Sequence, residues 1–263
     1  MMLQIGQHIY MFEKESMVDI FDIVEEVWLE RELPSMPSDD GWTITLGERL
    51  YHIEQSTDSN GMISRYDFES NIWEIITTSR DYTIMGGVAL KDQIFVVGCS
   101  DEDDEVMMCQ AYNPEKNTWI SLPAPNINRE DYLLLTYHEQ VLLIPANHFE
   151  AHPKIIEVYN PNQNTWISLP ELPFQYLHPK AVIVDDKILV YENNEEEGRR
   201  YQEVDPPVYW DESAEIWKII DKSSPWFHIE RYSVLLLDDS RVVKDITAKG
   251  RRPGIKWERI FTV

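Results

Sequence analysis

Residues 111–123 read AYNPEKNTWISLP and residues 158–170 read VYNPNQNTWISLP, identical at ten of thirteen positions. The pattern extends beyond this pair. An aromatic residue stands seven or eight places before a tryptophan at Phe21 and Trp28, Tyr66 and Trp73, Tyr112 and Trp119, Tyr159 and Trp166, and Tyr209 and Trp217, and Trp257 follows without such a partner. Successive tryptophans are 45, 46, 47, 51 and 40 residues apart. A repeat of this length is one supersecondary unit that cannot bury its own faces, so its copies have to stack on one another.

Upstream of each tryptophan, a short polar turn separates two apolar runs, as in VALKDQIFVV, LLTYHEQVLLI and AVIVDDKILVY. Such runs are short, rich in branched and aliphatic residues and bounded by turn formers, which favours strands over helices. In YNPEKNTW, Asn then Pro suit the first two positions of a type I turn, because the ring presets φ for the second. Each unit therefore reads as two hairpins, or about four antiparallel strands A to D. Six units are expected, at about 1–33, 42–78, 82–123, 132–170, 180–221 and 232–263, in a single domain covering 1–263. The last has 18 residues from Asp239 to Trp257, against 27 from Asp92 to Trp119, so it is expected to be short or irregular. Four-stranded units of this kind, stacked radially, make a propeller.

The Tyr-Asn-Pro strand followed by Asn-Thr-Trp resembles the kelch repeat. The resemblance covers nearly the whole chain and implies an all-β, six-bladed kelch β-propeller. Kelch blades usually carry Gly-Gly after the second strand, and at the six corresponding places here only Gly98 remains. The six tryptophans, repeated in register on every blade, are expected to be packing residues rather than ligand contacts. The resemblance further implies a non-catalytic protein-interaction module: the substrate-recognition part of a BTB-kelch adaptor for a cullin-3 ubiquitin ligase, with cullin-3 held through a BTB region not in this chain. A cytoskeletal or scaffolding kelch protein is the alternative.

With strands of alternating direction, the B–C and D–A connections leave a blade at one end, and the long variable segments here are all of that kind. Loops on a rigid frame are where binding residues concentrate. Arg80 with Tyr82, Arg129 with Tyr132, and Arg231 with Tyr232 recur where a D–A loop enters strand A. In kelch receptors the corresponding arginines line a central pocket, while the sequence equally allows them to pair with Asp81, Glu130, Asp131 and Glu230. Trp42, Phe174, Tyr176, Trp226 and Phe227 do not repeat in register, and Trp, Tyr and Arg are enriched at binding hot spots; packing of loop on loop is the competing reading. His148 and His178 lie in the same set of loops. Asp101, Glu102, Asp103, Asp104 and Glu105, with Glu195, Glu196 and Glu197, are expected to form an acidic rim, so the partner is a protein or peptide with basic residues.

Composition narrows the remaining classes. A formal charge of −24, from 47 acidic against 23 basic residues, repels nucleic-acid phosphates and anionic lipid surfaces. No run is long and apolar enough for a membrane span and no secretory signal pattern opens the sequence, so a cytoplasmic protein with Cys99 and Cys109 reduced is expected. The seven histidines are scattered, and no Gly-x-Ser-x-Gly, phosphate loop or Cys/His pair is present. The run at 101–105 lacks the spacing and glycine of a calcium loop. No catalytic residues, metal or cofactor are expected.

Overall fold

The computed structural model describes residues 2–12, 18–25, 27–29, 34, 37–38, 41–54, 61–79, 82–100, 103–129, 131–146, 154–192 and 205–224. They form five four-stranded antiparallel blades. Blade 1 contains β1 (Met2–Ile5), β2 (His8–Phe12), β3 (Val18–Asp22) and β4 (Val27–Leu29). Blade 2 contains β5 (Gly41–Leu46), β6 (Arg49–Glu54), β7 (Met62–Asp67) and β8 (Ile72–Thr78). Blade 3 contains β9 (Tyr82–Leu90), β10 (Gln93–Ser100), β11 (Asp103–Asn113) and β12 (Thr118–Leu122). Blade 4 contains β13 (Tyr132–Tyr137), β14 (Gln140–Pro145), β15 (Glu157–Asn160) and β16 (Thr165–Ser168). Blade 5 contains β17 (Pro179–Val184), β18 (Lys187–Glu192), β19 (Val208–Asp211) and β20 (Ile216–Ile219). The sixth unit, with Trp257, lies outside the described residues.

Two compact units are distinguished. One comprises Met1–Glu130, His138–Val141 and Val158–Ile167; the other comprises Asp131–Tyr137, Leu142–Glu157 and Ser168–Val263.

The C–D hairpin is where the repeat earns its residues. An Asp or Asn opens each turn, and its side chain accepts from the backbone ahead: Asp22 from Val24 and Glu25, Asp67 from Glu69, Asn113 from Lys116, Asn160 from Asn162 and Gln163, and Asp211 from Ala214. The turn closes through a left-handed residue at Asn71, Asn117, Asn164 and Glu215, with φ of 59°, 51°, 54° and 52°. Asparagine tolerates that conformation better than most residues. It also serves as a latch: Tyr112 Oη donates to Asn117 Oδ1 at 3.0 Å, Tyr159 to Asn164 at 2.7 Å, and Tyr66 to Asn71. Across the hairpin Phe21 faces Trp28, Tyr66 faces Trp73 and Tyr112 faces Trp119. In blade 5 the partner of Trp217 is Trp210, not Tyr209, with ring centroids 5.1 Å apart. The turn has fixed length, so the interval stays at seven and the aromatic slot accepts an indole. Tyr209 instead pairs with Lys218 and lies beneath Lys187 Nζ, 5.0 Å from the ring centre.

The A–B hairpins follow the same economy. Asp185 and Asp186, between the paired Val184 and Lys187, have φ of 48° and 55°, the type I′ geometry that matches strand twist.

Each of three tryptophans reaches the preceding blade. Trp119 Nε1 donates to Thr77 Oγ1 at 2.9 Å, Trp166 Nε1 to the Pro123 carbonyl at 2.8 Å, and Trp217 Nε1 to the Pro170 carbonyl at 3.0 Å. In every case the acceptor stands four residues after the tryptophan of the blade before. Apolar contacts fill the same interfaces. Tyr51, Ile53 and Ile63 of blade 2 form one cluster with Ile84, Ile94, Val96 and Tyr112 of blade 3, while Tyr10 and Ile20 join Leu50 and Tyr66 between blades 1 and 2.

Gly98 has a local reason to persist. It sits where the register of β9 against β10 shifts, and a Cβ there would stand 1.9 Å from the Thr83 carbonyl oxygen. Cys99 and Cys109 are both buried and not joined in a disulfide, each opposite another residue, Met107 and Val97 respectively. Burial pushes the Cys109 thiol well above its ordinary range.

Two outcomes follow for stability. Replacing Trp166 with alanine should cost about 3–5 kcal/mol in chemical denaturation, because it empties a buried site and removes the donor to Pro123. His52 is buried against Thr43 Oγ1 (3.3 Å), and that burial lowers its pKa. The folded protein thus resists protonation that the unfolded chain accepts near pH 6.5, about the ordinary histidine value. Its contribution is fully present above that pH and lost as pH falls below it. The unfolding free energy of the parent should therefore decline more steeply between about pH 7 and 5 than that of a His52→Gln variant.

Candidate functional site

Because strands follow chain order in every described blade, the B–C and D–A connections leave from one end. The segment between β16 and β17 shows how that end is built. Leu169 N–H donates to the Ile156 carbonyl and Leu172 N–H to the Lys154 carbonyl, at 2.9 and 2.8 Å, so the chain leaving β16 stays beside the approach to β15. Tyr176 Oη then donates to the Pro206 carbonyl at 2.7 Å, on the approach to β19. Finally the Glu192 carboxylate, at the end of β18, accepts both Leu177 N–H and His178 N–H at 2.7 Å. Two charge-assisted bonds to consecutive amides are short and strong. Burial first, and then the charges of Asp205 and Glu192, push the Tyr176 hydroxyl far above its ordinary pKa, which keeps it a donor.

This loop brings Phe174, Tyr176 and His178 together. Phe174 is half-buried, its ring edge-on to Tyr176 at 6.3 Å, and His178 is half-buried. Tyr176, only 2% exposed, packs within its loop, the competing reading that the sequence allows. The fold requires it because a long crossover needs its own anchor.

Trp42 is also reassigned. It lies within β5, not in a loop, opposite Ile53, and packs against the apolar cluster shared by blades 2 and 3. Arg129 is 6% exposed, and its backbone N–H donates to Met107 Sδ at 3.2 Å, while Asn128 Oδ1 accepts from Met107 N–H at 3.4 Å. These contacts dock the blade 3 D–A loop on the start of β11. Tyr132 opens β13 and is half-buried; Tyr82 opens β9.

The acidic run is partly strand. Asp103, Asp104 and Glu105 belong to β11, and Ser100 pairs with Asp103, so this part of the expected acidic rim is strand backbone. A register shift after Cys99 allows β11 to extend that far. Asp101, Glu102, Arg80, His148, Glu195, Glu196, Glu197, Trp226, Phe227, Arg231 and Tyr232 lie outside the described residues.

Sequence reasoning missed Glu192, which does most to hold the loop. Its signal was hidden in the acidic stretch YENNEEEG, where one carboxylate looks like the next. Among the described residues no group of three His, Cys, Asp or Glu is placed to hold a metal ion, and no helix is long and apolar enough to cross a membrane.

The blades and their latches define a kelch-like β-propeller fold, a type that generally serves as a non-catalytic interaction module. A curated relative agrees with that class: the chain is 30% identical over 118 residues to the F-box/kelch-repeat protein SKIP11 of Arabidopsis thaliana, a match covering 42% of this chain and 25% of that protein. The chain thus matches about a quarter of its relative's length. No protein-family model matches.

If the Glu192 carboxylate holds this loop, Glu192→Gln should speed amide exchange at Leu177 and His178 by about tenfold or more while leaving β18 protected, since a neutral amide accepts more weakly.

Proposed function

We propose that this chain recognises a protein or peptide partner through the B–C and D–A end of its blades, as the substrate-recognition part of a ubiquitin-ligase adaptor. The observation that carries the reading is the division of labour between residues. Those that repeat are used in turns, latches and blade contacts, whereas Phe174 and His178 do not repeat and sit on a loop held by three separate anchors. A fixed loop with an aromatic residue loses little freedom on binding, which favours affinity. The net charge of −24 supports a partner segment with basic residues, and Glu195, Glu196 and Glu197 are candidates to meet them.

On the resemblance to BTB-kelch proteins, the link to the ligase is cullin-3 through a BTB region. The relative's name favours a second reading, in which an F-box takes the place of that region. Affinity isolation of the tagged protein from its own cells, scored by mass spectrometry, tests both. Co-isolation of cullin-3 with an enriched substrate supports the first. A ligase component other than cullin-3 supports the second, and an enriched partner with no ligase component leaves a scaffolding protein.

With that partner in hand, rim charge should act on association and the aromatic contact on dissociation. Neutralising Glu195, Glu196 and Glu197 to Gln should slow association and flatten its salt dependence, while Phe174→Ala should speed release about tenfold, both read by surface plasmon resonance. Unchanged kinetics in both variants would move the interface to another part of the protein.

A further inference from the structure

The contact between blades 1 and 2 differs from the later ones in two respects, both set by residues of blade 2. Trp73 packs against the cluster of Tyr10, Ile20, Leu50 and Tyr66 that joins the two blades. Yet its Nε1–H is buried and has no acceptor among the described residues, whereas Trp119, Trp166 and Trp217 each donate to the blade before. A buried donor left unpaired costs free energy where a paired one contributes it.

The second difference is an ionisable group. Side chains alternate along β6, so Tyr51 and Ile53, which join the blade 3 cluster, point one way, and Leu50 and His52 point the other, toward blade 1. His52 is 2% exposed, and its ring meets Trp73 edge-on at 6.1 Å. Its cross-strand neighbours, Thr43 on β5 and Ser64 on β7, are buried too, so a polar row crosses this face.

Every hydrogen-bond partner of that imidazole is a hydroxyl. Nδ1 lies 3.3 Å from Thr43 Oγ1, and Nε2 lies 3.5 Å from Ser38 Oγ on the connection from β4 to β5. β7 turns Ser64 toward it and β8 turns Trp73. The titratable groups elsewhere on this interface are the phenols of Tyr10 and Tyr66 and, beside Tyr10, His8, whose Nε2 is 3.3 Å from Asp22 Oδ2. Among the described residues no carboxylate pairs with His52, and burial alone opposes its protonation. A hydroxyl accepts from either ring nitrogen, so a proton would not break these bonds; it would leave a charge buried without a counter-ion, which is the larger cost.

We infer that this interface is an acid-sensitive joint: as pH falls, blade 1 parts from blade 2 before the blades tied by an indole bond part from one another. Opening brings His52 to water, where it takes up a proton, and Trp73 gives up no hydrogen bond in the process.

The measurement is amide hydrogen exchange by mass spectrometry on the full chain, at about pH 7.5 and about pH 5.5, with the intrinsic rates divided out. A blade without its neighbour cannot bury its own faces, so β2 and β3 should lose up to about tenfold in protection at the lower pH, about one unit below the ordinary histidine value, while β10 and β11 hold theirs. His52→Gln should abolish the response, and His52→Leu is a second non-titrating replacement should the first fold poorly; His8→Gln should keep it. Trp73→Phe should leave the protection of blade 1 unchanged or raise it at both pH values, whereas Trp119→Phe should lower protection in blades 2 and 3. A loss shared equally by blades 1 and 3 would overturn the inference. So would a response that survives in the His52 variants, or a Trp73→Phe variant as damaged as Trp119→Phe.

Discussion

The structure depends on an indole N–H donated from one blade to the blade before it. A tryptophan packed between two sheets removes a large apolar surface from water, yet its nitrogen would be costly to bury without an acceptor. The chain supplies that acceptor at a fixed address, four residues past the previous tryptophan: Thr77 Oγ1, then the carbonyls of Pro123 and Pro170. The ring contributes area and the bond fixes where that area goes. Proline suits the address because its lack of an N–H ends β-pairing while its carbonyl remains available. One repeat therefore specifies both a blade and its attachment to a neighbour.

Much of this was legible in the sequence because the interactions are local or periodic. The seven-residue interval encodes a hairpin of constant turn length, so Tyr112 and Trp119 could be paired by counting. Counting failed only where two aromatic residues compete, at Tyr209 and Trp210. Trp42 and Tyr176 were left open between binding and packing for a related reason: a residue that does not repeat carries no periodic sign of a structural duty. A strand that borders a long loop needs packing particular to that loop, and such residues need no counterpart in other blades. Glu192 could not be found by pattern, since its role is set by where two amides of a distant segment arrive.

The run at 101–105 shows a different limit. Five acidic residues in a row read as a solvated rim because like charges repel, but strand pairing is made by backbone groups whatever the side chain. The bulge after Cys99 lets β11 take up Asp103, Asp104 and Glu105. Composition reports charge here, and charge alone does not choose between strand and loop.

The direction of the indole bond has a further consequence. Trp119, Trp166 and Trp217 donate backward, so blades 2, 3 and 4 each receive support from the blade that follows in sequence. The cluster that Phe95 of blade 3 forms with Tyr159 and Trp166 of blade 4 runs the same way, with ring centres 5.2 and 6.2 Å apart. Loss of Trp166 would therefore expose Phe95 and free the Pro123 carbonyl in blade 3 as well as emptying its own site. Its effect should then spread toward the N-terminal neighbour more than toward blade 5, whose own tie to blade 4 is made by Trp217. Stability in such an array is a sum of blade and interface contributions, and for blades 3, 4 and 5 the indole tie to the neighbour is written in the later blade.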